Sequence, residues 1–191
     1  ENNGLIFNSS VQGKNVTISN GSVLGVIAGK NTGTVAYSYS TIEIISVSCS
    51  VSGIVNGNDG VINSCYFTGY INNESENAAG IMLSKSEDDL GINSYVYNSY
   101  MSGVVENIQK GHTSFYAGDA TNLFGSNNYI DKFANVELGI NIEKLSIPTD
   151  PNSAKYLVLG YITTAELMAR TTLTGEMLKG NWYDSVEVDS S

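Results

Sequence analysis

Three short stretches, "GVIAG" at 25–29, "GIVNG" at 53–57 and "GIMLS" at 80–84, each set a glycine before two apolar residues. The interval is 28 residues from Gly25 to Gly53 and 27 from Gly53 to Gly80. A period of this length is the mark of a stacked repeat, in which each unit buries its apolar residues only against its neighbours. With the glycines in register a second feature lines up: "NTGTVAYSYS" (31–40), "NDGVINSCYFTG" (58–69) and "LGINSYVYNSYMSG" (90–103). Tyr39, Tyr66 and Tyr100 become equivalent, as do Ser38, Cys65 and Ser99 just before them. The longer interval to the third copy is absorbed around "LSKSEDDLG", read as a loop leaving the stack. A fainter copy opens at Gly4, and its Gly13 answers Gly69 and Gly103, so a neighbouring repeat or a cap is expected upstream.

Within each copy the apolar residues come in runs of two to five, rich in Val, Ile and Tyr and bounded by Gly, Asn and Asp, with no helical period. These are strand and turn signals. Three strands per coil, each paired with its equivalent one coil away at ~4.8 Å, would build a continuous apolar interior. Glycines are expected at the corners, at positive φ or in tight turns. Asn31, Asn58 and Asn63 are expected to tolerate the left-handed region there and to stack their amides. The fold class is therefore all-β, a parallel β-helix, right-handed by the general chirality of β-strands. The β-helix region is placed at 1–160, with its clear repeats at 25–104. The segment after position 105 holds one or two irregular further coils, with "NNYIDKF" as a candidate strand. In "TTAELMARTTLTGEMLKG" the N-cap threonines, the early Glu166 and the stop at Gly180 predict short helices, which with Trp182 would form a C-terminal cap over 161–191.

Composition narrows the function. The chain of 191 residues carries 9 basic and 19 acidic residues, a formal net charge of −10. That balance repels phosphate backbones and anionic membrane surfaces, so nucleic acid is excluded as a partner. No window approaches the ~20 consecutive apolar residues of a membrane span, so no membrane insertion is expected. Only 15% of residues are charged, while Gly, Ser, Asn, Thr and 12 Tyr are plentiful, a mix that suits an exported β-rich protein. Cys49 and Cys65 form either one disulfide or two buried thiols; without a CxxC spacing they make no zinc pair, and the buried, reduced state is the expectation.

The pattern G-[IV]-[ILV], then N-x-G-[TV]-[IV], then S-Y and a closing Gly resembles the GLUG motif. That motif is repeated in large bacterial surface and secreted proteins, among them adhesin-like proteins and some IgA-specific metalloendopeptidases. The matching stretches are 25–39 and 53–69, with 80–103 a looser copy that has Ser84 in place of the second glycine. The tail, "NNYIDK" then "ITTAELMARTTLTG" then "NWYDSV", is similar to the close that follows such repeats. The resemblance implies a place outside or on the surface of a bacterial cell, within a longer chain flanked by further domains. It implies no catalytic residues.

Candidate sites are few. The single histidine, His112, would have to meet a serine and Asp119 or Asp131 to form a triad, and no G-x-S-x-G, HExxH or P-loop accompanies it. Glu87, Asp88 and Asp89 share the lengthened loop of the third copy. They could gather a calcium ion, or serve as paired acids of a carbohydrate-active β-helix enzyme. No other cofactor is expected. The tyrosines recur on consecutive coils, and Tyr37, Tyr39, Tyr66, Tyr97 and Tyr100 are the candidate ligand-binding residues, either as an aromatic face for a sugar or protein or as an internal ladder holding the stack together. The expected function is a non-catalytic, adhesive or ligand-binding module or rigid stalk, with a host or matrix protein or glycan as partner. The alternatives are a glycoside hydrolase or lyase, and an accessory region of a secreted protease.

Overall fold

The computed structural model describes residues 1–19, 21, 23–74, 77–84, 93–107, 115, 123–131 and 157–162. Its strands fall into three complete turns of five strands each. The first holds β4 (Val23–Gly25), β5 (Ala28–Asn31), β6 (Thr34–Ala36), β7 (Tyr39–Ser40) and β8 (Glu43–Ser46). The second holds β9 (Ser50–Ser52), β10 (Val55–Asn58), β11 (Val61–Asn63), β12 (Tyr66–Phe67) and β13 (Tyr70–Asn73). The third holds β14 (Ala78–Ala79), β15 (Met82–Ser84), β16 (Ser94–Tyr97), β17 (Tyr100–Met101) and β18 (Val104–Asn107). A partial turn of β1 (Leu5–Phe7), β2 (Ser10–Val11) and β3 (Val16–Ile18) precedes them, and β19 (Leu123–Asp131) and β20 (Leu157–Ile162) follow. Every strand pairing is parallel and joins a strand to its equivalent in an adjacent turn. This is the β-solenoid that the repeats predict. Strand β20 crosses the expected 160/161 boundary, and the helical cap and Trp182 lie outside the described residues.

Five strands per turn replace the expected three because the chain turns a corner after every two to four residues. The strands stack in five columns, and two of these columns merge into one ten-stranded sheet because β19 runs straight past the corner between them, pairing with β16 and then β17. Inside, alternate residues form apolar files: Ile6–Val35–Ile62–Val96, Val16–Ile44–Ile71–Val105 and Leu24–Val51–Ala78. Phe67 stands in file with Ser40 and Met101, fully buried. Phe115 accepts the N–H groups of Ile81 and Met82 through its carbonyl, which places it on the rung after the third turn.

The glycines stand differently from the expected column. Gly25 pairs with Ser52, which pairs with Ala79, so Gly53 and Gly80 stand one residue further on. The register is a uniform 27 from Val23 to Asn73, and the interval of 28 arises because Gly25 answers a need of its own turn: a Cβ there would run into the carbonyl of Ala28. Gly4 lies against Gly33 and starts the partial turn at the glycine of the N-x-G element. The register to the next turn changes from 27 at Met82 to 34 at Tyr95, so the extra residues of the third copy do fall in the expected loop.

Among the described residues, none of the glycines from Gly4 to Gly103 has a positive φ. One corner is made at Asn8 (φ 49°), Tyr37 (φ 51°), Ser64 (φ 53°) and Asn98 (φ 51°), which are equivalent from turn to turn; a further one is Asn15 (φ 55°). Asn63 is on β11, not at this corner, and its carbonyl oxygen Oδ1 accepts from Nδ2 of Asn98 at 2.9 Å. After the left-handed residue the backbone N–H is turned away from the ladder, and the side chain one turn on accepts it. Ser9 N–H donates to Ser38 Oγ at 3.1 Å, Ser38 N–H to the Cys65 sulfur, Cys65 N–H to Ser99 Oγ at 3.2 Å and Ser99 N–H to Asn128 Oδ1 at 3.1 Å. The aligned Ser, Cys and Ser of the sequence are this relay. A buried backbone donor left without such an acceptor would cost about 1–3 kcal/mol.

Both cysteines are free and buried. Burial pushes the Cys65 thiol up to about 12, so almost no thiolate forms at neutral pH. An aromatic disulfide reagent at pH 8 is expected to find neither thiol in the native protein and both after unfolding in guanidinium. A thiol that reacts within seconds in the folded chain would contradict this packing.

Candidate functional site

The outer wall of the solenoid is where a partner could reach, and its chemistry follows from strand alternation. In the sheet built from β1, β6, β11, β16 and β19, Ile6, Val35, Ile62 and Val96 face the core, so the residues on either side of them face out. Two outward files result: Leu5–Thr34–Val61–Tyr95–Phe124 and Phe7–Ala36–Asn63–Tyr97. Neither contains a charged residue, in a chain whose net charge is −10. Leu5 and Phe7 are 64% and 57% exposed. The ring of Tyr95 lies near-parallel to those of Tyr97, at 6.0 Å between centroids, and Phe124, at 5.6 Å. Burial, then the neighbouring Tyr95, raises the phenol of Tyr97.

Around the left-handed corner stands the tyrosine column. Tyr39 and Tyr66 stack at 4.6 Å and 3°, and Tyr66 and Tyr100 at 5.0 Å and 4°. Tyr129 continues the file and packs against it. The residues beside them on the same strands, Phe67 and Met101, belong to the main core, so the tyrosines form a separate cluster on the outside of the wall. Of the two readings of these tyrosines, a ligand face or a ladder, the structure has the ladder, placed outside the main core rather than within it. The reason is the corner: it fixes the strand phase so that the second residue of each pair, not the tyrosine, points in. Each interior member of the file gives both ring faces to its neighbours, leaving Tyr66 and Tyr100 only 3% and 8% exposed. Such rings stabilise the stack, and their faces are not free for a ligand. Burial, and then Tyr39, pushes the Tyr66 phenol well above its ordinary value.

Tyr37 joins the two surfaces. Its ring meets Phe7 edge to face at 5.2 Å and 63°, and it packs against the tyrosine column. The result is an aromatic belt that passes from the uncharged sheet round the corner. Of the five candidate tyrosines, the structure thus gives Tyr39, Tyr66 and Tyr100 to the ladder and Tyr37 and Tyr97 to the accessible belt. Sequence reading missed Phe7 and Phe124; the alternation in "LIF" and "LFG", with the middle or following residue inward, was the available signal.

Elsewhere on the wall the Tyr70 hydroxyl donates a short hydrogen bond to the Glu106 carboxylate. Burial first, then the hydrogen bond and charge of Glu106, push Tyr70 up to about 12. A phenol raised in the folded state adds stability that is whole below the unfolded value of ~10 and is lost as pH rises towards 12. The difference in urea midpoint between the wild type and Tyr70→Phe is therefore expected to be constant up to pH 10 and to shrink above it. A difference that stays flat to pH 12 would sink the assignment.

Glu87, Asp88, Asp89, His112 and Asp119 lie outside the described residues. Asp131 is buried. Among the described residues no group of three His, Cys, Asp or Glu side chains could hold a metal ion, and no helix is long and apolar enough to cross a membrane. Compared with protein-family models, curated proteins and solved structures, the chain matches none.

Proposed function

We propose that this chain is a non-catalytic segment of a large bacterial surface or secreted protein, a stiff scaffold that presents an adhesive face to a host or matrix glycan or protein. The observation that carries the reading is the uncharged aromatic belt on the outside of a stack whose turns are joined along their length by tyrosine and asparagine files. Exposed apolar surface rimmed by polar groups is where proteins meet partners. The repeat motif, which resembles GLUG, supports the location, and the acid-rich, lysine-poor composition suits it. The enzyme alternative depends on the acids at 87–89, and no observation on the wall favours it.

Two measurements test the reading. Antibodies raised against the chain are expected to label intact, unpermeabilised cells of the source organism or its culture medium. Beads coated with the chain are expected to adhere to host-cell or extracellular-matrix surfaces. Antigen confined to the cytoplasm would overturn the location, and turnover of a glycan or peptide by the chain alone would overturn the non-catalytic role.

A further inference from the structure

We infer that the corner carrying Tyr37 is a binding site for a neutral polysaccharide, lying along the solenoid axis with its sugar rings against Tyr37 and Tyr97. The inference deepens the adhesive reading above and rests on it.

The first observation is backbone strain. A bulky residue at positive φ is a genuine outlier, and such outliers cost of order 1–3 kcal/mol and gather at functional sites. The equivalent corner positions hold Asn8, Ser64 and Asn98, all easily accommodated there; only Tyr37 places an aromatic ring at the corner among these four. Its ring is directed to the aromatic belt, where it meets Phe7.

The second observation is what lies along the axis from it. Tyr37 donates its N–H to the carbonyl of Asn63, one rung on, and Ser64 donates to the carbonyl of Tyr97, one rung further. The order along the axis is aromatic ring, amide, aromatic ring, with Asn98 Nδ2 bound to Asn63 Oδ1 at 2.9 Å between them. Rungs repeat at ~4.8 Å, a rise commensurate with that of an extended chain of pyranose rings. Aromatic surface for the apolar faces of sugars, with amides and phenols for their hydroxyls, is the composition of a site for an uncharged polar polymer.

Charge selects among the partners. The outward files at this corner carry no charge, and the chain as a whole carries −10, which repels uronate-rich or sulfated glycans and a second copy of the chain. A neutral glycan pays no such penalty.

The test is native gel electrophoresis of the full chain through soluble neutral polysaccharides (a β-glucan, a galactomannan and an arabinoxylan), with alginate as the polyanionic arm. The wild type is expected to be retarded in at least one neutral gel and not in alginate. Tyr37→Asn and Tyr97→Ser are each expected to weaken that retardation at least tenfold. Tyr37→Asn relieves the strained corner, so its urea midpoint is expected to equal or exceed that of the wild type, which separates lost binding from lost fold. Retardation that the two variants leave intact, retardation only in alginate, or none in any neutral gel overturns the inference. Beads that adhere to matrix-protein surfaces while every neutral gel is ignored would remove the glycan and keep the adhesive reading; failure of both removes both.

Discussion

Gly53→Ala is expected to cost about 3 kcal/mol or more, a large loss for a single added methyl group. A Cβ at Gly53 would overlap the ring of Phe67 on one side and the carbonyl oxygen of Gly80 on the other. Neither can give way: Phe67 is fully buried, and the backbone on both sides of the Gly80 carbonyl is fixed, Ala79 accepting from Gly53 N–H and Ile81 from Val55 N–H. The same ring also lies against Gly80 and Gly103, so three glycines from two turns box in one phenylalanine. Ordinary overpacking costs about 1–3 kcal/mol, and this site lacks the usual escape of a neighbouring rotamer. Gly80→Ala is the control. Its Cβ would meet chiefly the thioether of Met101, a flexible side chain, and Met101→Ala is expected to recover part of the loss. Urea midpoints for the single and double variants decide it. A Gly53→Ala chain within about 1 kcal/mol of wild type would mean that the files are more loosely packed than the structure has them.

That glycine also marks the limit of what the sequence could reveal. The period is legible because stacking demands that equivalent residues recur, and it correctly aligns Tyr39 with Tyr66 and Tyr100, and Ser38 with Cys65 and Ser99. Which glycine serves which contact is not legible. Gly25 yields to backbone alone, the Ala28 carbonyl and the Asn56 amide, whereas Gly53 yields to the Phe67 ring as well as the Gly80 carbonyl, and Gly80 yields to the Met101 and Phe67 side chains. The number of strands per turn is hidden for a related reason: a corner made by Tyr37 or Ser64 at positive φ has no glycine to announce it. Since that corner sets the phase of the next strand, the side of the wall on which the tyrosines fall was undecidable from alternation alone. The accessible part of the belt, Tyr37 and Tyr97, could be named from sequence but not separated from the ladder residues.

The asparagine file carries the other large expected effect, and it shows why a chain with 19 acidic residues uses amides here. Asn2 Nδ2 donates to Asn31 Oδ1 at 2.7 Å, and Asn31 Nδ2 donates to Asn58 Oδ1 at 2.7 Å. Asn31 and Asn58 are fully buried, and Asn31 Nδ2 also reaches the carbonyls of Gly33 and Val61. Asn31 accepts from the turn before it and donates to the turn after it, and Asn58 Nδ2 carries the donation on to the Tyr95 carbonyl of the third turn. Asn31→Ala removes both roles and is expected to cost about 2–4 kcal/mol, since buried acceptors lose their donor. Asn31→Asp keeps the shape and makes the loss depend on pH. An ionised carboxylate cannot donate to Asn58 Oδ1, and it would set two acceptors face to face away from water; the protonated acid can donate. Its folded value must therefore rise above the unfolded ~3.9. A carboxyl raised in this way contributes fully below the unfolded value, and that contribution is lost as pH rises through the folded one. Relative to wild type, Asn31→Asp is expected to be only mildly destabilised at pH 3.5, with the deficit growing by about 1.4 kcal/mol per pH unit until the folded group ionises. Urea midpoints of the two chains across pH 3.5 to 8 measure the difference directly, with the other titrating acids common to both. A deficit that is the same at every pH would mean that position 31 does not need to donate, and that the amide file is not what ties the turns together.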